Sequence, residues 1–101
     1  MMVIVFRARV KPGVEQDYMK AGMRMTELAQ KMPGYISQKS FAADDGEWVT
    51  IVEFESEEQL RAWREHPDHR AAQQMGRDEF YSEYHIQICK LARESKFKSA
   101  V

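Results

Sequence analysis

Apolar residues along this chain recur first at every second position, then at every third or fourth, then at every second again, and each change of spacing marks an element. Met2 to Val10 is rich in β-branched and aromatic residues and ends at Lys11-Pro12-Gly13, which predicts a strand. From Val14 the apolar positions Val14, Tyr18, Gly22, Met25, Ala29 and Met32 step by three and four, with Met19, Met23 and Leu28 widening the stripe, so a long amphipathic helix is expected until Pro33-Gly34. Tyr35 to Ala42 and Trp48 to Glu55 are extended runs joined by Asp44-Asp45-Gly46, a pair of antiparallel strands around a turn that needs positive φ. Ser56 followed by Gln59 is a capping-box signature and starts a second helix at Glu57 that carries Leu60 and Trp63. Pro67 breaks that helix, because the residue before proline avoids the helical basin, and the same proline suits the first position of a new short helix from Pro67 to about Met75, closed by Gly76. Phe80 to Leu91 reads as the last strand, with Tyr84, Ile86 and Ile88 on one face and Tyr81, Glu83, His85, Gln87 and Cys89 on the other.

The order β-α-β-β-α-β predicts an α+β fold of the ferredoxin-like, split βαβ kind: a four-stranded antiparallel sheet with helices on one face. A chain of 101 residues supports one core, here residues 1–93, with a polar C-terminal tail over 94–101. The helices can cover only one face. The first strand is nevertheless apolar on both (Val3 and Val5; Ile4 and Phe6), as is the third (Trp48, Val52 and Phe54; Val49 and Ile51). Large apolar faces are rarely left wet, so a homodimer is expected, its two sheets stacked about a twofold axis into an α/β barrel.

Composition narrows the partners. Fifteen basic and sixteen acidic residues leave a net charge of −1, without a basic run interleaved with aromatics, which argues against nucleic acid. The longest apolar runs fall far short of the roughly 20 residues of a membrane span and no signal-like segment opens the chain, so a soluble, cytoplasmic protein without membrane contact is expected. Cys89 is the single cysteine; it excludes an intrachain disulfide and its apolar strand predicts a buried thiol.

The candidate chemistry gathers in Ala62-Trp63-Arg64-Glu65-His66-Pro67-Asp68-His69-Arg70, where an indole and two imidazoles flank a helix break. Trp63 shares the apolar side of its helix with Leu60, and an indole packed there can also wall an aromatic-substrate pocket. His66 is expected at or beside the N-cap of the short helix and His69 in its first turn, where the positive helix end keeps an imidazole neutral and available as a base. The two histidines lack a third ligand at metal-site spacing, so no metal is expected. Arg7 and Arg9 share a face of the first strand and need partners, with Glu53 and Glu83 as candidates, unless one of them binds a substrate carboxylate or oxyanion. Tyr84, continuing the Ile86 and Ile88 face, suits either core or pocket wall.

The run Phe54-Glu55-Ser56-Glu57-Glu58-Gln59-Leu60-Arg61-Ala62-Trp63, then His66-Pro67-Asp68-His69-Arg70-Ala71-Ala72 and Phe80-Tyr81-Ser82-Glu83-Tyr84, resembles the antibiotic biosynthesis monooxygenase family of dimeric α/β barrels over about residues 2–91. That resemblance implies a dimer and a chemistry drawn from cofactor-free oxidation of phenols to quinones, haem degradation, or isomerase-like reactions on small carbonyl compounds. It maps the shared tryptophan onto Trp63, an amide of the quinone-forming members onto Gln59, and a histidine following a proline onto His69. The haem-ligating histidine falls on Gln73 and the first-strand asparagine of the haem-degrading members on Phe6 or Arg7; the late-strand arginine of the quinone-forming members falls near Glu83 and Tyr84. The expectation is a cofactor-independent monooxygenase for a small aromatic or phenolic substrate, with Trp63, His69 and Gln59 in catalysis and His66, Tyr84 and Arg7 binding substrate. A haem-binding or other small-ligand module without catalysis, and a small-carbonyl isomerase, are the alternatives.

Overall fold

In the computed structural model, which describes residues 1–100, the chain runs β1 (Met2–Val10), α1 (Glu15–Ala29), β2 (Tyr35–Ala42), β3 (Trp48–Phe54), α2 (Glu57–Arg64), α3 (Pro67–Met75), a π-helical turn (Gly76–Phe80) and β4 (Tyr81–Lys90). The sheet order is β2-β3-β1-β4 with every neighbouring pair antiparallel, which is the ferredoxin-like α+β arrangement the pattern predicts. The last residue of the expected tail lies outside the described residues.

Local chemistry sets most boundaries. Helix α1 stops at Ala29 rather than Met32, because the amides of Lys31 and Met32 turn back to the carbonyls of Leu28 and Ala29, a tighter winding that ends before Pro33. Gly34 follows at φ +86°, a conformation that strains any side chain, and its carbonyl accepts the Glu55 amide at 2.8 Å, tying this turn to the start of α2. The Ser56 hydroxyl accepts the Gln59 amide at 3.1 Å, as a capping residue should, and donates to Gln59 Oε1 at 3.0 Å.

The even-numbered residues of β1 face the helices. Met2 and Ile4 pack with Ala29 of α1, Phe54 of β3, and Leu60 and Trp63 of α2 in one buried cluster. The odd-numbered residues face away from the helices, and among the described residues no element covers that face. Val3, Val5 and Arg7 lie beside Glu53, Ile51 and Val49, with Phe41 and Ile51 exposed. Cys89 is paired with Val3 on that open face and is therefore exposed, not buried as its apolar strand suggested.

Three further expectations are corrected. Helix α3 ends at Met75 with Gly76 as its C-cap, as expected, but Gly76 keeps helical dihedrals (φ −58°, ψ −47°) and the backbone winds on through the π-helical turn, so Phe80 is buried there and the strand opens at Tyr81 instead. A β-bulge between Arg9 and Val10 sets Tyr81 opposite Val10, so Tyr81 shares the helix-side face with Tyr84 rather than the face of Glu83. Arg9 does meet Glu83 (3.2 Å) and also Asp45 (2.9 Å), but Arg7 pairs with Glu47 at 3.2 Å, while Glu53 is bonded by Ser37. Glu47 reaches Arg7 because the hairpin turn, closed by Gly46 at φ +90°, brings that end of the β2–β3 connection back along the sheet. Among the described residues no helix is long and apolar enough to cross a membrane.

Candidate functional site

The joint between α2 and α3 is built by its sequence. His66 takes an extended conformation (φ −60°, ψ 133°), as a residue before proline must, and its Nδ1 accepts the Asp68 amide at 3.1 Å while Pro67 occupies the first helical position. The chain turns, and α3 sets the His69 ring on the Trp63 indole, centroids 4.4 Å apart and planes 19° from parallel. His66 lies at the indole edge, 5.8 Å away and tilted by 43°. Trp63 is buried against Ile4, Phe54 and Leu60, so the platform under His69 is anchored in the core.

His69 carries an unusual polar atom: its Nδ1 is buried and makes no hydrogen bond. Nearly all such atoms in folded proteins are satisfied, and leaving one unpaired costs about 1–3 kcal/mol. Burial is also the main reason the imidazole is held below its ordinary value of 6.5; the positive charge of Arg64 adds to that, and the backbone at Arg64 and Trp63 opposes it. Sequence reasoning assigned the neutral state to the helix end, whereas desolvation is the larger cause.

This neutral imidazole has a consequence for stability. The unfolded chain takes up the proton near the ordinary pKa and the folded chain only at lower pH, so the unfolded state binds more protons in between. Stability contributed by the neutral ring is complete above about pH 6.5 and is lost as pH falls toward the folded pKa. Urea midpoints measured at about pH 7.5 and about pH 5.5 should show this decline, and the His69-dependent part should be absent in His69→Phe. An identical decline in the variant would assign the effect to other groups.

The other sequence-predicted residues divide between places. Tyr84 pairs with Ala8, Ile86 with Phe6 and Ile88 with Ile4, so all three lie on the helix side of the sheet, yet each remains about two-fifths exposed (42%, 41% and 41%). The helical layer therefore stops short of the edge strand and leaves an apolar strip along β4. Its Ile88 end adjoins Ile4, a member of the Trp63 cluster. Its Tyr84 end joins an aromatic group of Phe6 (5.8 Å from Tyr84), Tyr81 (5.4 Å from Phe6) and Tyr18 (5.6 Å from Tyr81). Burial pushes the Tyr18 and Tyr81 phenols above their usual range, so near neutral pH they serve as uncharged hydrogen-bonding groups and not as bases.

Gln59 and Arg7 are not brought to the joint. The Gln59 amide is engaged by Ser56 and packs on Gly34, where an added Cβ would fall 2.2 Å from Oε1. Arg7 projects from the opposite face, as strand alternation requires, in a hollow of about 220 Å³ that it lines with Glu47, Glu83 and His85. Phe6, Tyr18, Tyr81, Ile86 and Ile88 belong to the strip or its end but had not been singled out. Alternation put Phe6 on the face of Ile4 and Ile86 on the face of Ile88; their pairing, and the place of Tyr81, came with the register and bulge of β1 and β4.

Gln73, onto which the haem-ligating histidine maps by resemblance, is an amide at the edge of a surface groove. Among the described residues no group of three or more His, Cys, Asp or Glu is placed to hold a metal ion.

A four-stranded antiparallel sheet with helices on one face, an indole–imidazole joint and an apolar strip along β4 defines an α+β domain of the ferredoxin-like class. Residues 1–75 match the model of the antibiotic biosynthesis monooxygenase family, and the chain belongs to that family. The uncharacterized protein YqjZ of Bacillus subtilis is 30% identical over 94 residues, covering 93% of this chain and 82% of YqjZ. Rv0793 of Mycobacterium tuberculosis shares the fold with TM-score 0.84 at 14% identity, over 94% of this chain and 98% of its own. SnoaB of Streptomyces nogalater, a cofactor-independent oxygenase, does so with TM-score 0.75 at 18% identity, over 93% and 94% of the two chains.

Proposed function

We propose that this protein is a cofactor-independent monooxygenase of the quinone-forming type, acting on a small aromatic or phenolic substrate laid along the β4 strip beside Trp63. Family membership and the likeness to a cofactor-independent oxygenase support the class. The half-buried His69 ring, stacked on Trp63 and held neutral chiefly by desolvation, is the observation that carries the mechanism, because it gives the joint an imidazole able to take a proton.

In this reading His69 takes a proton from an activated ring methylene or its phenol tautomer, and the resulting electron-rich anion is the reductant for dioxygen. A carbon–oxygen bond forms to give a hydroperoxide. Loss of water, with the proton returned by His69, leaves a carbonyl, so one methylene and one dioxygen give one carbonyl and one water. In this scheme Phe6, Tyr81 and Tyr84 at the aromatic end of the strip supply flat apolar contact, Trp63 supports the His69 ring from beneath, and the Tyr84 hydroxyl would hydrogen-bond the substrate. No tightly bound cofactor enters this scheme.

Oxygen uptake with a panel of anthrone-like and phenolic compounds tests the proposal. Uptake that is lost in His69→Ala and reduced in Trp63→Phe is expected; absence of uptake across the panel would overturn it.

The functional unit in this proposal is a homodimer joined through the open sheet face, where Val3, Val5, Val49, Ile51 and Phe41 leave an apolar surface without cover in the single chain. Sedimentation at micromolar concentration should give twice the chain mass, and Ile51→Lys should shift the protein to monomer. A monomer mass for the unaltered protein would remove the dimer from the scheme.

A further inference from the structure

A second feature of the α2–α3 joint lies outside the oxygenase scheme and does not depend on it. A surface groove of about 540 Å³ is lined by Arg61, Arg64, Glu65, Arg70 and Gln73, with no apolar side chain among them. Arg61 and Arg64 stand one turn apart at the end of α2 and Arg70 comes from α3, so the break at Pro67 is what brings the third guanidinium to the groove. The volume suits a small ligand and the lining suits a polar one.

Like Arg24, Arg77 and Arg93, these three arginines meet no carboxylate among the described residues, but only they are gathered around one groove. Among the described residues Arg7 and Arg9 each meet a carboxylate, whereas Arg61, Arg64 and Arg70 form no ion pair, not even with Glu65 in the same groove. Helix electrostatics explains only part of the arrangement. Basic residues in the last turn of α2 are favoured by its negative end, but Arg70 sits in the first turn of α3, where the positive end disfavours a cation. The chain as a whole has a net charge of −1, so this is a local concentration of positive charge and not an overflow of basic composition. Three guanidiniums around one hollow repel one another until an anion bridges them, and their planar forks match the oxygens of phosphate or carboxylate groups.

We propose that Arg61, Arg64 and Arg70 form a binding site for a compact multiply charged oxyanion, a diphosphate or polycarboxylate group of a small molecule, with Gln73 adding an amide donor. Such a group places oxygens against all three guanidiniums at once, which a single monoanion does not.

Calorimetric titration of the full chain with pyrophosphate, inorganic phosphate and citrate tests this at about 20 mM and about 200 mM salt. Saturable binding of pyrophosphate or citrate at one site per chain is expected, tighter than for inorganic phosphate and weaker at the higher salt. Each of Arg61→Gln, Arg64→Gln and Arg70→Gln should weaken it by about tenfold. The control Lys20→Gln/Arg24→Gln/Lys31→Gln removes three exposed charges on or near α1, away from the groove, and should leave binding unchanged; circular dichroism verifies that every variant is folded. Tighter pyrophosphate binding identifies a phosphate ligand and tighter citrate binding a carboxylate one. Non-saturable heats, retention of binding when Arg61→Gln, Arg64→Gln and Arg70→Gln are combined, or equal weakening in the α1 control would overturn the site. So would an oligonucleotide that binds more tightly with increasing length, which would replace the small ligand by a nucleic acid.

Discussion

His69→Phe should leave the protein folded and slightly more stable while reducing oxygen uptake by about 10²–10⁴-fold, the usual worth of a positioned general base. A phenyl ring is close in size and shape to imidazole and can keep the face-to-face contact with Trp63, now 4.4 Å between centroids. It also removes the buried Nδ1 that has no partner, and with it a desolvation cost of about 1–3 kcal/mol. Stability and activity therefore move in opposite directions, as they do where a site keeps an unsatisfied group for its chemistry. His69→Ala is less informative alone, because it removes the base and the stacked ring together. Uptake retained in the phenylalanine variant would sink the role of His69 as base; a loss of more than about 1 kcal/mol in urea unfolding would show that its nitrogen is satisfied in solution.

Phe54→Ala is expected to cost about 3–5 kcal/mol of stability. Phe54 is fully buried, at 0% exposure, at the end of β3, where it pairs with Met2 and Tyr35 and meets the Tyr35 ring edge-on at 6.0 Å. It belongs to the cluster that includes Leu60 and Trp63, so the cavity left by its ring would open beneath α2. Total stabilities of domains this size are about 5–15 kcal/mol, and the variant should lose a large share of its folded population at 37 °C. Urea midpoints at one fixed protein concentration measure this, since dimer formation would make stability depend on concentration. A change below about 1 kcal/mol would mean that the cluster closes over the missing ring.

Much of the site was readable because it is local. Ser56 and Gln59 announce a helix start, Pro67 announces its break, and His66 before that proline has little choice but to cap the next helix; these are constraints between residues a few positions apart. Strand alternation likewise placed Tyr84, Ile86 and Ile88 on one face and Arg7 on the side of Val3 and Val5. What failed depended on contacts between distant segments. Tyr81 was assigned to the wrong face because the bulge at Arg9 and Val10 forms only when β4 pairs with β1. Gln59 passed as a pocket amide until Gly34, twenty-five positions earlier, closed against it. Cys89 looked buried because an apolar neighbourhood in sequence does not say which face of the sheet the helices cover.

By itself, then, the sequence determined the elements, their order, the helix break and the residues that flank it, since propensity, capping and side-chain periodicity act over a few positions. Tertiary structure decided that His69 lies on Trp63 with one nitrogen unsatisfied, that the strip on β4 stays uncovered, and that three arginines from two helices meet around one groove. Those are properties of burial and of separation in space, and both are fixed only when the helices settle on the sheet.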